Sequence, residues 1–211
     1  MVKVRDWVNP KTAVFDLDGT IVDFVQAFAT FARVEKIDRQ FYSVHRACGF
    51  NDEAICNELT DQFYKSGKLA EAPVMDEWII DLIRSVYKKQ RVMFLTARPA
   101  NLYPAIVKHT TDWLTANGLD FDILIFTDDK RKYIENDPNI HYVVEDNLTQ
   151  AHRMGKTKKT IFLVDRPYNR PAKTKKNVIR IKNVNELVQC LLNKSTKAKS
   201  EQTTSTSPPT S

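Results

Sequence analysis

The 211-residue chain is 42% hydrophobic and 27% charged, a balance that suits one globular domain with a real core and a small inserted subdomain. No apolar run approaches a membrane span, and the opening MVKVRDWVNPK lacks the apolar stretch of a secretory leader, so a soluble, cytoplasmic protein without a membrane partner is expected. The formal net charge of +6 is uneven: residues 151–211 hold 14 Lys and Arg against 3 acids, and residues 1–150 carry the opposite sign.

A basic C-terminal third suits a phosphorylated partner, either a nucleotide or a nucleic acid, and equally a solvated surface with a charged tail. The cysteines are Cys48, Cys56 and Cys190. Their spacing matches no zinc pattern, which predicts reduced thiols.

The first apolar run, Thr12–Phe15 (TAVF), predicts a buried strand and leads into DLDGT. Most D-x-D triplets are only polar turns, so Asp16 and Asp18 carry weight only if the rest of the chain supplies partners. Residues 24–74 then read as helical throughout, with no strand and with Pro73 near the end. The helix predicted over 75–90 places Trp78, Ile79, Leu82, Ile83 and Val86 on one stripe.

The next strand, Val92–Thr96 (VMFLT), ends in TARP. A helix is expected over 100–118, with Gly118 at its C-cap. The strand Ile123–Thr127 runs into TDDKRKYI, and His141–Glu145 runs into EDN and a helix over 147–154. The strand Ile161–Val164 precedes DRPYNR, and Val178–Ile181 precedes a helix over 184–192. Residues 195–211 have almost nothing to bury and read as a disordered tail.

This alternation predicts an α/β fold: a doubly wound, Rossmann-like parallel sheet with a small helical cap inserted after the first strand. The core would comprise 1–23 and 75–194, and the cap 24–74.

Ligands bind at the C-terminal strand edge of such a sheet. Four points of the sequence fall there: Asp16 with Asp18, Thr96, Lys130, and Glu145 with Asp146. Their order and type resemble the haloacid dehalogenase-like superfamily of aspartate-nucleophile phosphatases, over roughly residues 12–182.

The resemblance implies a phosphomonoesterase that uses Mg²⁺ and an aspartyl-phosphate. Asp16 would be the nucleophile, and Asp18 would protonate the leaving oxygen and later activate water. Thr96 and Ala97 would bind the phosphate, and Lys130 would stabilise the transferring charge. Asp16, Asp146 and the main-chain carbonyl of Asp18 would ligate Mg²⁺, with Glu145 as an additional ligand. Lys132 competes with Lys130 for the lysine role. Arg98 would bind phosphate or simply pair with an acid, and Asp128 and Asp129 read as a solvated loop.

IFLVDRPYNR (161–170) is similar to a segment of the 5'(3')-deoxyribonucleotidase family. That similarity implies a 5'-nucleotidase acting on (deoxy)ribonucleoside monophosphates. Asp165, Arg166 and Asn169 would order the acidic loop or touch substrate. A polynucleotide 3'-phosphatase, another small-phosphomonoester phosphatase and a non-catalytic binding protein remain the alternatives. One or two cap aromatics, among them Phe28, Phe31, Phe41, Tyr42, Phe50, Phe63 and Tyr64, would stack on a base.

Overall fold

The structure is a computed structural model and describes residues 11–190. The expected tail at 195–211 lies outside the described residues. Six strands form one all-parallel sheet: β1 (Thr12–Phe15), β2 (Arg91–Thr96), β3 (Ile123–Phe126), β4 (Ile140–Glu145), β5 (Thr160–Val164) and β6 (Val178–Ile181). Their order is β3-β2-β1-β4-β5-β6. The sheet is therefore doubly wound as the alternation predicts, and β1 sits where the chain reverses direction across it.

Both sheet faces are covered, so the strands are apolar on both. Phe15, Phe94, Tyr142 and Phe162 point to one side, while Val14, Met93, Val143 and Ile161 point to the other. The four rings form a ladder across neighbouring strands, at centroid separations of 6.4, 6.3 and 5.6 Å.

The chain between β1 and the fourth helix holds α1 (Phe24–Phe31), α2 (Val44–Ala47), α3 (Glu53–Lys65) and a 3₁₀ turn at Lys68–Glu71. It is not helical throughout. Arg33 adopts φ 57°, which an α-helix cannot continue, and α2 is only 4 residues long. Residues 34–43 are consequently an irregular strap.

The two ends of this insertion lie side by side. Asp23 N donates to Pro73 O at 2.8 Å, and Met75 N donates to Ile21 O at 2.7 Å. Phe28, Phe63 and Leu69 of the insertion share one apolar cluster with the sheet. The Trp113 indole N–H donates to Ala72 O at 2.6 Å.

The remaining helices are α4 (Glu77–Tyr87), α5 (Ala105–Ala116), α6 (Lys130–Asn136) and α7 (Leu148–Met154). Residues 184–190 are helical to the end of the described residues. Helix α5 starts later than the sequence suggests because Pro104 occupies its N-cap, and proline is tolerated only at a helix start. At its far end the helix stops at Ala116 with Asn117 as the C-cap, and Gly118, one residue beyond, takes the left-handed turn at φ 62°, with Leu119 N bonded to Leu114 O at 2.9 Å. No helix among the described residues is long and apolar enough to cross a membrane.

Candidate active site

The strand order brings the singled-out residues to one place. Asp16 follows β1, Thr96 ends β2, Lys130 opens α6 after β3, and Glu145 ends β4. Asp16, Asp18, Thr96, Ala97, Lys130 and Glu145 all line a cavity of about 320 Å³. Asp146 lies behind the wall, fully buried.

Carboxylate oxygens of Asp16, Glu145 and Asp146 lie within 4.8 Å of one another. Lys130 is the counter-charge. Its Nζ donates to Asp16 Oδ1 at 2.5 Å and to Glu145 Oε2 at 2.8 Å. Lys132 is exposed on the outer face of α6, so only one of the two candidate lysines reaches the acids.

Three buried carboxylates against one ammonium leave an uncompensated negative charge, and the proton affinities reflect it. Burial, then the charge of Asp16, pushes the Glu145 carboxyl up to about 7, with Lys130 opposing. The Asp146 carboxyl is pushed well above its ordinary range by burial, then by Glu145 and Asp16. Burial alone would lower Lys130, but the charges of Asp16 and Glu145 raise it, so it stays an ammonium.

Glu145 has both oxygens engaged. Oε2 takes Lys130, and Oε1 accepts the N–H groups of Asp146 and Asn147 at 3.2 and 3.0 Å. Asp146 is held differently. Its Oδ1 accepts from the Thr20 hydroxyl at 2.9 Å, and its Oδ2 accepts from the Tyr168 hydroxyl at 2.5 Å. Thr20 also lies 3.2 Å from Asp16 Oδ2.

Gly19 makes this packing achievable. It adopts φ +84°, and a Cβ there would collide with Asp146 Oδ2 and lie 2.8 Å from the Tyr168 hydroxyl.

Arg98 pairs with an acid. Its Nε and one terminal nitrogen donate to the two Asp18 oxygens at 2.9 and 2.6 Å, and its other terminal nitrogen donates to Thr110 at 2.8 Å. It also lines the cavity.

The DRPYNR segment braces the acidic loop. Arg166 donates to the carbonyls of Gly19 and Thr20 at 2.8 and 3.1 Å and to Asp76 at 2.5 Å. Asn169 Nδ2 donates to Asp146 O at 2.8 Å. Asp165 turns away to pair with Arg170 and Arg180 at 2.8 and 3.1 Å. Asp129 is an N-cap, accepting from Lys132 N at 3.4 Å, rather than a merely solvated loop residue.

The insertion adds an aromatic part of the cavity wall, with Phe24, Phe41, Tyr42 and Tyr64, and Tyr168 lines it from the sheet side. Phe28, Phe31, Phe50 and Phe63 instead pack in or against the apolar cluster. Arg39 also reaches the wall, gripping Asp23 through two bonds of 2.7 and 2.9 Å. Thr20, Tyr168 and Arg39 are the residues that sequence reasoning left without a role. The first two stood inside the DLDGT and DRPYNR segments, which was a signal that they sit close to the acids.

No protein-family model matches the chain, and no curated protein does. Solved structures do. YfnB from Bacillus subtilis, named as a HAD-hydrolase and bound to magnesium, is 17% identical; the match covers 86% of this chain and 98% of that one at a TM-score of 0.57. Protein tyrosine kinase A (PtkA) of Mycobacterium tuberculosis is 17% identical, over 86% and 98% of the chains, at 0.56. A predicted phosphatase from Clostridium acetobutylicum is 18% identical, over 87% and 99%, at 0.55. At such identities the likeness is one of fold: the chain has the α/β fold of haloacid dehalogenase-like hydrolases, and its chemistry has to be argued from its own residues.

Proposed function

We propose that the chain is an Mg²⁺-dependent phosphomonoesterase working through a phosphorylated Asp16, and that its substrates are nucleoside monophosphates. The observation that carries this reading is the buried cluster of Asp16, Glu145 and Asp146 against Lys130 at the base of the cavity. Hard carboxylate oxygens in a buried, net-negative cluster fit a small divalent cation. Asp16 and Asp146, with the Asp18 carbonyl, would hold it, while Glu145 holds Lys130. When bound, Mg²⁺ offsets phosphoryl charge beside the nucleophile.

The chain's own residues supply the rest. An Asp16 oxygen attacks phosphorus as the ester P–O bond breaks. Asp18 gives its proton to the leaving alkoxide, then takes one from water, and the resulting hydroxide attacks phosphorus and frees Asp16. Thr96, the Ala97 backbone and Lys130 bind the phosphoryl oxygens.

Asp18 cannot donate a proton while both of its oxygens accept from Arg98, so that pair has to open. An incoming phosphate dianion offers the guanidinium a competing partner, and the freed Asp18 carboxylate takes up a proton from solvent before it acts as the acid.

The volume of about 320 Å³ and the aromatic wall support a substrate of nucleotide size, with a base against Phe41, Tyr42 or Tyr64. A polynucleotide end is the second reading and has less support: the exposed Lys156, Lys158, Lys173, Lys175 and Lys176 stand just before β5 and β6, at the sheet edge away from the cavity.

Phosphate release from dNMPs, NMPs, a 3'-phosphorylated oligonucleotide, sugar phosphates and p-nitrophenyl phosphate, each with Mg²⁺ or EDTA, tests both. Mg²⁺-dependent release favouring mononucleotides is expected. Release confined to the oligonucleotide would replace the first reading with the second, and silence on every substrate would sink the enzyme reading.

A further inference from the structure

The acids of the cluster are held by two kinds of donor. Asp16 Oδ1 and Glu145 Oε2 share a cation, Lys130. Asp146 has no ion pair among the described residues, and both of its oxygens accept from neutral hydroxyls, those of Thr20 and Tyr168. An ammonium or guanidinium at Asp146 would compete with a metal ion for the same charge. A hydroxyl orients the carboxylate and favours its ionised form without adding positive charge.

Tyr168 is suited to that task. Its phenol hydroxyl is an uncharged donor, and it lies 2.5 Å from Asp146 Oδ2. It stands on the 3₁₀ turn Pro167–Asn169, between Arg166, which holds the Gly19 and Thr20 carbonyls, and Asn169, which holds the Asp146 carbonyl. Backbone and side chain of Asp146 are thus fixed by one three-residue turn. On its outer side the Tyr168 ring meets Tyr42 edge-on, at a centroid separation of 5.5 Å and 70°. Tyr42 belongs to the strap of the insertion and lines the cavity.

We propose that Tyr168, backed by the Tyr42 ring, is a positioning residue that aims Asp146 at a divalent cation, so that the inserted segment bears on the cation site through these two rings. The inference rests on the metal-dependent phosphatase reading and names what orients its cation ligand. Outer-shell partners of metal ligands typically change affinity by about 10–100-fold.

The test is Mn²⁺ binding to the full chain, followed by electron paramagnetic resonance of the free ion, for wild type, Tyr168→Phe and Tyr42→Leu. The melting temperature in EDTA is measured in parallel. Tyr168→Phe should bind Mn²⁺ about 10-fold or more weakly, and Tyr42→Leu should weaken binding by a smaller factor. Should Tyr168→Phe fail to fold, Tyr42→Leu carries the test, because it removes no hydrogen bond to an acid. A variant that melts lower in EDTA yet binds Mn²⁺ as wild type does would overturn the inference, since both side chains would then be merely structural. No Mn²⁺ bound by wild type would overturn the metal reading, and this inference with it.

Discussion

Arg98 grips both carboxylate oxygens of Asp18, at 2.9 and 2.6 Å, across 80 residues of sequence. The guanidinium is almost wholly buried, whereas the Asp18 side chain keeps 24% exposure. The pair therefore sits at the boundary between packing and chemistry. Replacing Arg98 by Ala leaves Asp18 and Thr110 without their partner. Because Asp18 is part-solvated, the cost should be about 1–3 kcal/mol rather than that of a fully buried pair. If Arg98 also receives the phosphate, KM should rise more than kcat falls, and Arg98→Lys should restore charge but not the two-point grip. Thermal melts and steady-state kinetics on the two variants check this.

Lys130 and Lys132 should behave oppositely. Lys130→Met strips the shared counter-charge from two buried carboxylates, and about 3–5 kcal/mol of stability should go with it, together with activity. Lys132 is exposed, and Lys132→Ala should stay within about 0.5 kcal/mol of wild type and keep its turnover. Urea denaturation of both proteins gives the comparison.

Gly19→Ala should damage the site from the inside. The positive φ costs an alanine about 1–2 kcal/mol. The new methyl would also displace Asp146 or the Tyr168 hydroxyl. The expected signature is a lower melting temperature together with weaker Mg²⁺ binding by calorimetry.

Metal removal has a pH signature. In the metal-free protein the Glu145 carboxyl lies near 7 against an ordinary 4.5, and Asp146 is raised as well. The folded state then binds more protons than the unfolded one, so metal-free stability should fall as pH rises through that window. Mg²⁺ should restore it, most strongly above about 7. Asp146→Asn removes one of the crowded charges, so its metal-free form should melt no lower than wild type and its Mg²⁺-induced rise should vanish. Equal rises in both proteins would remove Asp146 from the cation site.

All six strands were legible in the sequence: the central ones, buried on both faces, read as largely apolar runs, and the edge strands β3 and β6 are short runs rich in β-branched residues and only partly buried. The TAVF and IFLV segments needed no knowledge of their neighbours. The insertion was harder. Its residues have helical patterning, yet Arg33 turns left-handed and the strap that carries Arg39, Phe41 and Tyr42 is shaped by tertiary contacts, chiefly Arg39 on Asp23 and Tyr42 on Tyr168. The residues gathered at the cavity were found from their positions at strand ends. Thr20 and Tyr168 stood inside segments that pointed to the acids, but their partner, Asp146, is 126 and 22 residues away, so the segments marked their neighbourhood and not the hydrogen bond each makes. Arg98 was ambiguous for a related reason: whether TARP sends its arginine to an acid or to a ligand depends on where Asp18 lies.

The central claim is that Asp16 is the atom donor to phosphorus. The most direct measurement is to mix the protein with Mg²⁺ and a reactive phosphomonoester, quench in acid, reduce with borohydride and map the peptides by mass spectrometry. An acyl-phosphate is reduced to an alcohol, so the account predicts conversion at Asp16, dependent on both substrate and Mg²⁺ and absent from Asp16→Asn. Turnover without modification at Asp16, or modification at Asp18 instead, would contradict it.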